Sequence, residues 1–533
     1  MNSLLIVIIS IIAFIWGYRV YARKLGSIWQ INSLNPVPSK TKYDGVDFVP
    51  ARNWLVLFGH HFSSIAGAGP IVGPVIACCL WGWGPVLLWI VLGSIFLGAV
   101  HDFSALMISV REEGQSISTI ASSVISKRAH IMFALFVWLA LMLILAVFVY
   151  LCADTLVNEP RIILPSMGII PVAILVGFLL YHLKMNQTLA TLIGLGGLVV
   201  LIILGQFFTI TSVSFTAWVI ILLAYCFLAS ILPVNILLQP RDYLSSFLLF
   251  FGLIFGFLGL FISHPPMQMP AFMQFNSSEG MLWPMLFVTV ACGAISGFHC
   301  LISSGTSSKQ IANERDVKRI GYGAMITEGL VAVLAVLVVA AGIGRGYLLD
   351  KSSPVVIFGK GYSVITRSVL GGYGGIIAML ILNAFILTTL DTATRIMRYI
   401  TEELFKIKNR YLSSLIVVFL GGWFALAKDK FNIPMWKKLW PAFGASNQLV
   451  AALALFVATC WLLSKNRPTK MTLYPAIIML ITSVAALVYQ VVSNFKHGNY
   501  LLTAISLILI VLAFIMTIDV IKVFKKKRLT SSK

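Results

Sequence analysis

The stretch Phe58-Gly-His-His-Phe-Ser-Ser-Ile-Ala-Gly-Ala-Gly-Pro-Ile-Val-Gly-Pro74 decides the fold. It lies inside an apolar segment long enough to cross a bilayer, which takes about 20 residues. Yet it carries two adjacent histidines, His60 and His61, and then Gly67, Gly69, Pro70, Gly73 and Pro74. Proline removes a backbone donor and clashes with the preceding turn. Glycine relaxes the backbone. A helix written this way is expected to break near Ala68. Broken backbone at membrane depth survives only where protein buries it or a watery cavity lies beside it. Paired spans interrupted by glycine and proline point to the binding sites of transporters.

The composition around this stretch is that of a membrane protein. Of 533 residues, 59% are hydrophobic and only 11% charged, against roughly 25% charged in soluble domains. An all-α polytopic chain is expected, with about fifteen transmembrane helices. They include spans near 3–19, 53–79, 84–109, 243–263, 281–305, 320–344 and 370–395, with long loops at 20–52, 110–128, 264–280 and 345–369. The run from Leu4 to Trp16 is followed, not preceded, by Arg19, Arg23 and Lys24. It therefore reads as a retained first span rather than a signal peptide.

The net charge of +21 does not imply nucleic acid, because no basic groove interleaved with aromatics is present. With the N-terminus outside, 29 of the 39 Lys and Arg residues, Arg241, Arg395 and Arg398 among them, fall on the cytoplasmic side. That bias follows the positive-inside rule and puts the C-terminus in the cytoplasm. The seven cysteines lie in apolar spans without a CxxC pair and read as small buried hydrophobes.

A weak repeat supports a paired architecture. Gly59 to Gly69 aligns without gaps to Gly297 to Ser307, placing His61 on His299 and Gly67 on Gly305. The two segments fall in the second and ninth spans. An odd offset of seven gives them opposite orientations, as an inverted repeat requires. The expected organisation is an extra helix at 1–22, a first half at 50–270 broken at 58–74, and a second half at 281–464 broken at 293–308. C-terminal helices and a basic tail follow at 471–533.

Several polar residues within spans are candidates for function, since ionisable groups there are costly. His60 and His61 point about 100° apart on a helix, so one cavity takes only one of them. A histidine near neutral pH suits a coupling proton. The backbone around Ala66, Gly67 and Gly69 is a candidate for substrate or ion binding, with tight helix packing as the competing reading. His299, Ser303, Ser304 and Thr306 are its counterparts in the second broken span. Asp102 and Glu328 are candidates for coupling or gating, Asp102 alternatively pairing with Arg111. Thr388, Asp391 and Thr392 share a helix face by i, i+3, i+4 spacing. They suit a small cation or a proton, with an Asp391 pair to Arg395 or Arg398 as the alternative. Asn447 and Gln448 are placed to bond across helices.

Five motifs, GHHFSSIAGAGPIVGPVIA, SGFHCLISSGTSSKQ, IGYGAMITEG, TTLDTATRIMRYITEEL and WPAFGASNQL, resemble the carbon starvation protein A (CstA) family in its own order. The resemblance runs from about residue 50 to 450, with Val-His-Asp at 100–102 where many members carry Val-Gln-Asp. It implies a secondary transporter of the bacterial inner membrane, used in carbon starvation and taking up peptides or pyruvate. It also implies a LeuT-like core of five plus five inverted helices, with 53–79 and 281–305 as the broken pair and 370–395 as the eighth core helix. An offset of seven rather than five then calls for two extra helices or a shifted boundary. The expected activity is symport of a short peptide or small carboxylate, with the substrate between 65–73 and 299–307. A proton is the first choice of coupling ion and sodium the second. The alternatives are a pyruvate-specific symporter and, remotely, a membrane metalloenzyme or redox protein. No metal or other cofactor is expected, the expected partners are a small-molecule or short-peptide substrate and the lipid bilayer, and the oligomeric state stays open.

Overall fold

The computed structural model describes residues 2–344, 353–427 and 435–531. Arg345, Lys351, Lys428, Lys430 and Lys533, which enter the charge count, lie outside the described residues. Among the described residues, eleven helices are long and apolar enough to cross a membrane, and a bent pair adds a twelfth. Two shorter apolar helices, Phe215–Ile231 and Arg410–Leu426, and a second interrupted segment at 282–305 lie beside them.

Helix α1 is Ser3–Trp16. The first broken span consists of α2, Trp54–Ile65, and α3, Gly69–Trp81, bent by 42° at residues 66–68. Asn53 caps α2 by accepting the Val56 N–H. Pro70 falls in the first turn of α3, where its missing N–H costs nothing. The proline that ends one helix therefore starts the next. The chain then runs through α4, Trp83–Gly93, and α5, Ala99–Arg111, joined by a π turn. The long α6, Lys127–Asn158, follows.

Helices α7, Ile163–Tyr181, and α8, Gln187–Phe207, pack on each other as a peripheral hairpin. Most of α8 faces outward, with Leu192, Val199, Ile203 and Phe207 exposed. This hairpin accounts for the offset of seven. Without it four spans separate the two broken ones, as a five-plus-five repeat requires. Helices α9, Phe215–Ile231, and α10, Leu238–Ser263, complete the first half.

The second broken span has a short α11, Phe287–Thr289, an irregular stretch at 290–297, and α12, Phe298–Gly305. The break thus precedes His299. The gapless alignment had matched the end of α12, at Gly305 and Thr306, to the first break. Helices α13, Gly323–Gly342, α14, Pro354–Leu370, α15, Gly374–Phe405, α16, Arg410–Leu426, α17, Met435–Ser464, α18, Lys470–Lys496, and α19, Tyr500–Ser531, complete the chain.

Several expectations change. The loops expected at 20–52 and 110–128 carry helices at Ala22–Trp29, which continues the first span, and Ile117–Val124. The loop expected at 345–369 contains α14, whose Lys360 and Arg367 lower its hydropathy below that of a span. One face buries Phe358, Tyr362 and Ile365, and the Tyr362 hydroxyl donates to the Gly252 carbonyl at 2.7 Å. Gly361 approaches Gly342 at the end of α13, and Thr366 approaches Gly374 at the start of α15. Helix α14 thus packs on the later turns of α10 and α13 and on the start of α15. A further change is α10, which begins at Leu238 rather than near 243. Arg241, assigned to a loop, is completely buried inside it. Arg395 and Arg398, also assigned to the cytoplasmic rim, are buried in α15.

Candidate functional site

At each break, side chains from neighbouring helices take up the backbone groups that helix geometry leaves unpaired. Such groups must find partners when buried in a membrane protein. At the first break, the Thr388 and Thr389 hydroxyls donate to the carbonyls of Ser63 and Ser64 at 2.6 and 3.0 Å. At the second, Trp89 Nε1 donates to the Val290 carbonyl and Ser94 to that of Gly293, at 3.0 and 2.8 Å. Glu328 Oε1 accepts the Gly293 N–H at 3.1 Å, and Asn447 Oδ1 accepts the Phe298 N–H at 2.8 Å. Gly293 has φ +90°, a conformation that favours glycine. Gln448 reaches the Phe287 carbonyl at 2.5 Å. The two amides of α17 therefore do bond across helices.

Two buried polar clusters flank the breaks. The first joins α2, α10 and α15. His60 Nδ1 lies 2.7 Å from Asp242 Oδ2, and its Nε2 lies 3.1 Å from the Gln310 amide nitrogen. This arrangement suits an imidazole with its proton on Nδ1. Arg241 Nη2 donates to Asp242 Oδ1 at 2.6 Å and to Asp391 Oδ1 at 3.1 Å, and Nη1 donates to Asp391 Oδ2. Tyr225 donates to Asp391 Oδ2 at 2.7 Å. Ser64 Oγ lies 3.2 Å from both Asp242 Oδ2 and Thr392 Oγ1.

The second cluster joins α5, α12 and α13. His299 Nδ1 lies 2.8 Å from Asp102 Oδ2, and His101 Nδ1 lies 2.7 Å from Asp102 Oδ1. On its far side, His299 Nε2 is 3.1 Å from Glu328 Oε2. That contact has the distance of an ion pair but not the alignment of a hydrogen bond, since neither atom has a hydrogen-bond partner. Cys292 Sγ, a His299 nitrogen and a Glu328 oxygen lie within 4.8 Å of one another. This is the grouping that the metal-binding alternative requires.

These clusters sort the expected site residues. His60 belongs to the first cluster. His61 turns to the other side, with Nδ1 2.7 Å from Ser307 Oγ and Nε2 buried without a partner. Asp391 pairs with Arg241 rather than with Arg395, which reaches Asp47 at 2.8 Å. Asp102 pairs with His101 and His299, while Arg111 binds Glu314 at 2.6 Å. Ser304 and Thr306 donate to helix carbonyls of Cys300 and Ile302, and Ser303 Oγ is buried without a partner.

Ala66, Gly67 and Gly69 are buried in close packing. A Cβ on Gly67 would lie 2.8 Å from the Phe148 ring, and one on Gly69 2.4 Å from Cys292. The break is sealed in this conformation, so a substrate at 65–73 requires movement of the surrounding helices. Arg241, Asp242, Tyr225 and His101 escaped the reading of the sequence. The one signal for the first pair is Gln-Pro-Arg-Asp-Tyr at 239–243, a charged doublet with apolar runs on either side.

Comparison with known proteins agrees with this architecture. A crystal structure of a manganese transporter from Eremococcus coleocola superimposes with a TM-score of 0.56 over 90% of this chain and 99% of that one. At 13% identity this likeness concerns the fold alone. The peptide transporter CstA of Bacillus subtilis is 30% identical, covering 98% of this chain and 97% of the relative. The peptide transporter CstA of Campylobacter jejuni is 30% identical over 95% of this chain and 82% of its own. The pyruvate/proton symporter BtsT of Escherichia coli is also 30% identical, over 91% and 81%. The family profile of carbon starvation protein CstA matches residues 2–371 and 339–486. The chain belongs to the carbon starvation protein CstA family.

Proposed function

We propose that this chain is a proton-coupled symporter importing short peptides or a small carboxylate. The observation that carries the coupling is His299 held between Asp102 and Glu328, all three buried and on separate spans. An imidazole facing two carboxylates needs a proton on each nitrogen unless one carboxyl is itself protonated. Burying uncompensated charge is expensive. The cluster therefore holds its protons jointly, and a proton gained or lost changes how α12 is held to α5 and α13. Glu328 also accepts the Gly293 N–H, so the same carboxyl supports the second break. The first cluster has one fixed cation, Arg241, for two carboxylates, Asp242 and Asp391, and nears neutrality only with a further proton. Asp391 and Glu328 are thus the exchange points on the two sides.

Sodium is the less favoured ion. Next to Thr388 and Thr392, the Ser63 and Ser64 carbonyls already accept threonine hydroxyls. Both Asp391 oxygens there already accept from the Arg241 guanidinium, which leaves a cation no free carboxylate oxygen on that residue. For substrate, the relatives named for peptides and for pyruvate are equally similar, at 30% identity. A pyruvate-specific symporter is therefore the second reading, supported by the relative of that name.

The test is uptake into proteoliposomes of pyruvate, other small acids and di- and tripeptides, with and without sodium at two internal and external pH values. Accumulation is expected to follow an inward proton gradient and to ignore sodium. Glu328→Gln, which keeps an acceptor for Gly293, is expected to lower gradient-driven uptake at least tenfold and flatten its pH dependence. Sodium-driven accumulation, or a Glu328→Gln protein with unchanged pH dependence, would sink the proton reading. His61→Ala with unchanged uptake would remove His61 from the transport path.

A further inference from the structure

Away from both clusters, a groove of about 480 Å³ opens on the flank of the bundle between α1, α2 and α13. Its walls are apolar, with Ile11, Ile15, Phe58 and Leu330 among them. Its mouth is basic, formed by Arg19 and Arg319. We propose that this groove binds one acidic glycerophospholipid, its phosphate between Arg19 and Arg319 and an acyl chain along α1 and α13.

Three features favour that occupant. The first is charge. Both arginines are exposed, and Arg319 stacks on the Trp54 ring with its guanidinium carbon 5.1 Å from the centroid. Lys318 adds a further ammonium 4.8 Å above the Tyr18 ring. The one acid paired here is Asp316, 3.2 Å from an Arg319 nitrogen. Arg19 has no acidic partner among the described residues, so a basic surplus remains. Basic pockets between spans on the cytoplasmic side suit anionic headgroups. The second is depth. From Arg19, in the π turn Gly17–Tyr21 that continues α1, to Ile11 the groove follows the first span for about 12 Å at 1.5 Å per residue. Half of a hydrocarbon core is roughly 15 Å, so the groove is one leaflet deep. The third is polarity. The charged mouth and apolar floor lie in the order that a lipid presents them, and Trp54, 42% exposed, stands at the mouth. Tryptophan favours the headgroup level.

The groove also touches the transport core. Phe58 and Trp54 belong to α2, the first half of the first broken span. A bound lipid would pack directly against that half-helix.

Native mass spectrometry of the full chain, released from nanodiscs of defined composition, tests the proposal. Phosphatidylglycerol and phosphatidylcholine of equal chain length are the two probes. The wild type is expected to retain one phosphatidylglycerol, with at least tenfold preference over phosphatidylcholine. Arg19→Gln/Arg319→Gln is expected to lose that preference, and Arg19→Lys/Arg319→Lys to keep most of it. Intact thermal unfolding of the glutamine variant shows that it is folded. Equal retention of both lipids, or an unchanged preference in the folded glutamine variant, overturns the proposal. So does displacement of the lipid by millimolar inorganic phosphate, which would make this a free-anion site. A dimer that dissociates in the glutamine variant would assign the groove to a second copy instead.

Discussion

Arg241 shows how a single residue can hold together a buried polar cluster that local sequence does not announce. Its partner Asp391 is 150 positions away, and no periodicity connects them. Both are completely buried, so each depends on the other to offset its desolvation. Removing one partner of such a pair typically costs about 3–5 kcal/mol, because the other charge is left alone. Arg241→Ala is therefore expected to be strongly destabilised in thermal unfolding of the detergent-solubilised protein. Arg241→Gln/Asp391→Asn is expected to recover part of that loss, since His60 and Ser64 still serve Asp242. Arg241→Lys keeps the charge but not the planar fork that serves two carboxylates, and is expected to fall between. If the double variant is no more stable than the sum of the single losses, Arg241 and Asp391 are not coupled. The residues that were legible, His60, His61, Asp102, His299, Glu328 and Asp391, are those whose cost inside an apolar run is visible without a partner. Arg241 was hidden because it stands at the polar start of α10, where a loop arginine looks the same.

At the level of elements, the first break was readable because its cause is local: Gly67, Gly69 and Pro70 stop α2 and start α3. The second was misplaced because its cause is tertiary. Residues 290–297 stay irregular because Trp89, Ser94, Glu328 and Asn447 supply their hydrogen bonds from four other places in the chain. Similarity to the first break led instead to the end of α12. The halves α3 and α11 of the two broken spans also lock together. A Cβ on Gly73 would lie 2.4 Å from the Thr289 carbonyl oxygen, a backbone atom that cannot turn aside. Overpacking of this kind costs about 1–3 kcal/mol. Gly73→Ala is expected to lower the unfolding temperature and to impair uptake. Gly196→Ala, with nothing within 4 Å, is the neutral control. Equal behaviour of the two would mean that α3 and α11 separate easily and that the contact does not hold the breaks together.

On the scale of the whole molecule, the all-helical membrane character and the first broken helix were legible, since hydropathy is summed over many residues. The sequence did not show what holds the side carrying residues 17–53 shut, because that depends on a loop. Residues 46–52, just before α2, are stitched to three other parts of the chain. The Val234 N–H donates to the Val46 carbonyl at 3.0 Å, and the Ala51 N–H to that of Gln310 at 3.0 Å. Asp47 takes a hydrogen bond from Arg395 at 2.8 Å and lies 3.9 Å from Arg398. The same loop presents Phe48 to the Lys309 ammonium, 5.3 Å from the ring centroid. This segment lies on Lys309 and Gln310, just beyond the end of α12 that carries Ser304, and on the proposed transport reading such a contact has to open for access to the breaks. Asp47→Ala leaves Arg395 on the carbonyls of Ala229 and Leu232, so the fold is expected to survive while the cover loosens. In a background without native cysteines, Ser304→Cys is expected to react several-fold faster with a membrane-impermeant thiol reagent once Asp47→Ala is added. The reagent should act only from the side that carries residues 17–53. Reaction from the opposite side would reverse the assigned orientation, and an unchanged rate would mean that Asp47 is not part of the closure.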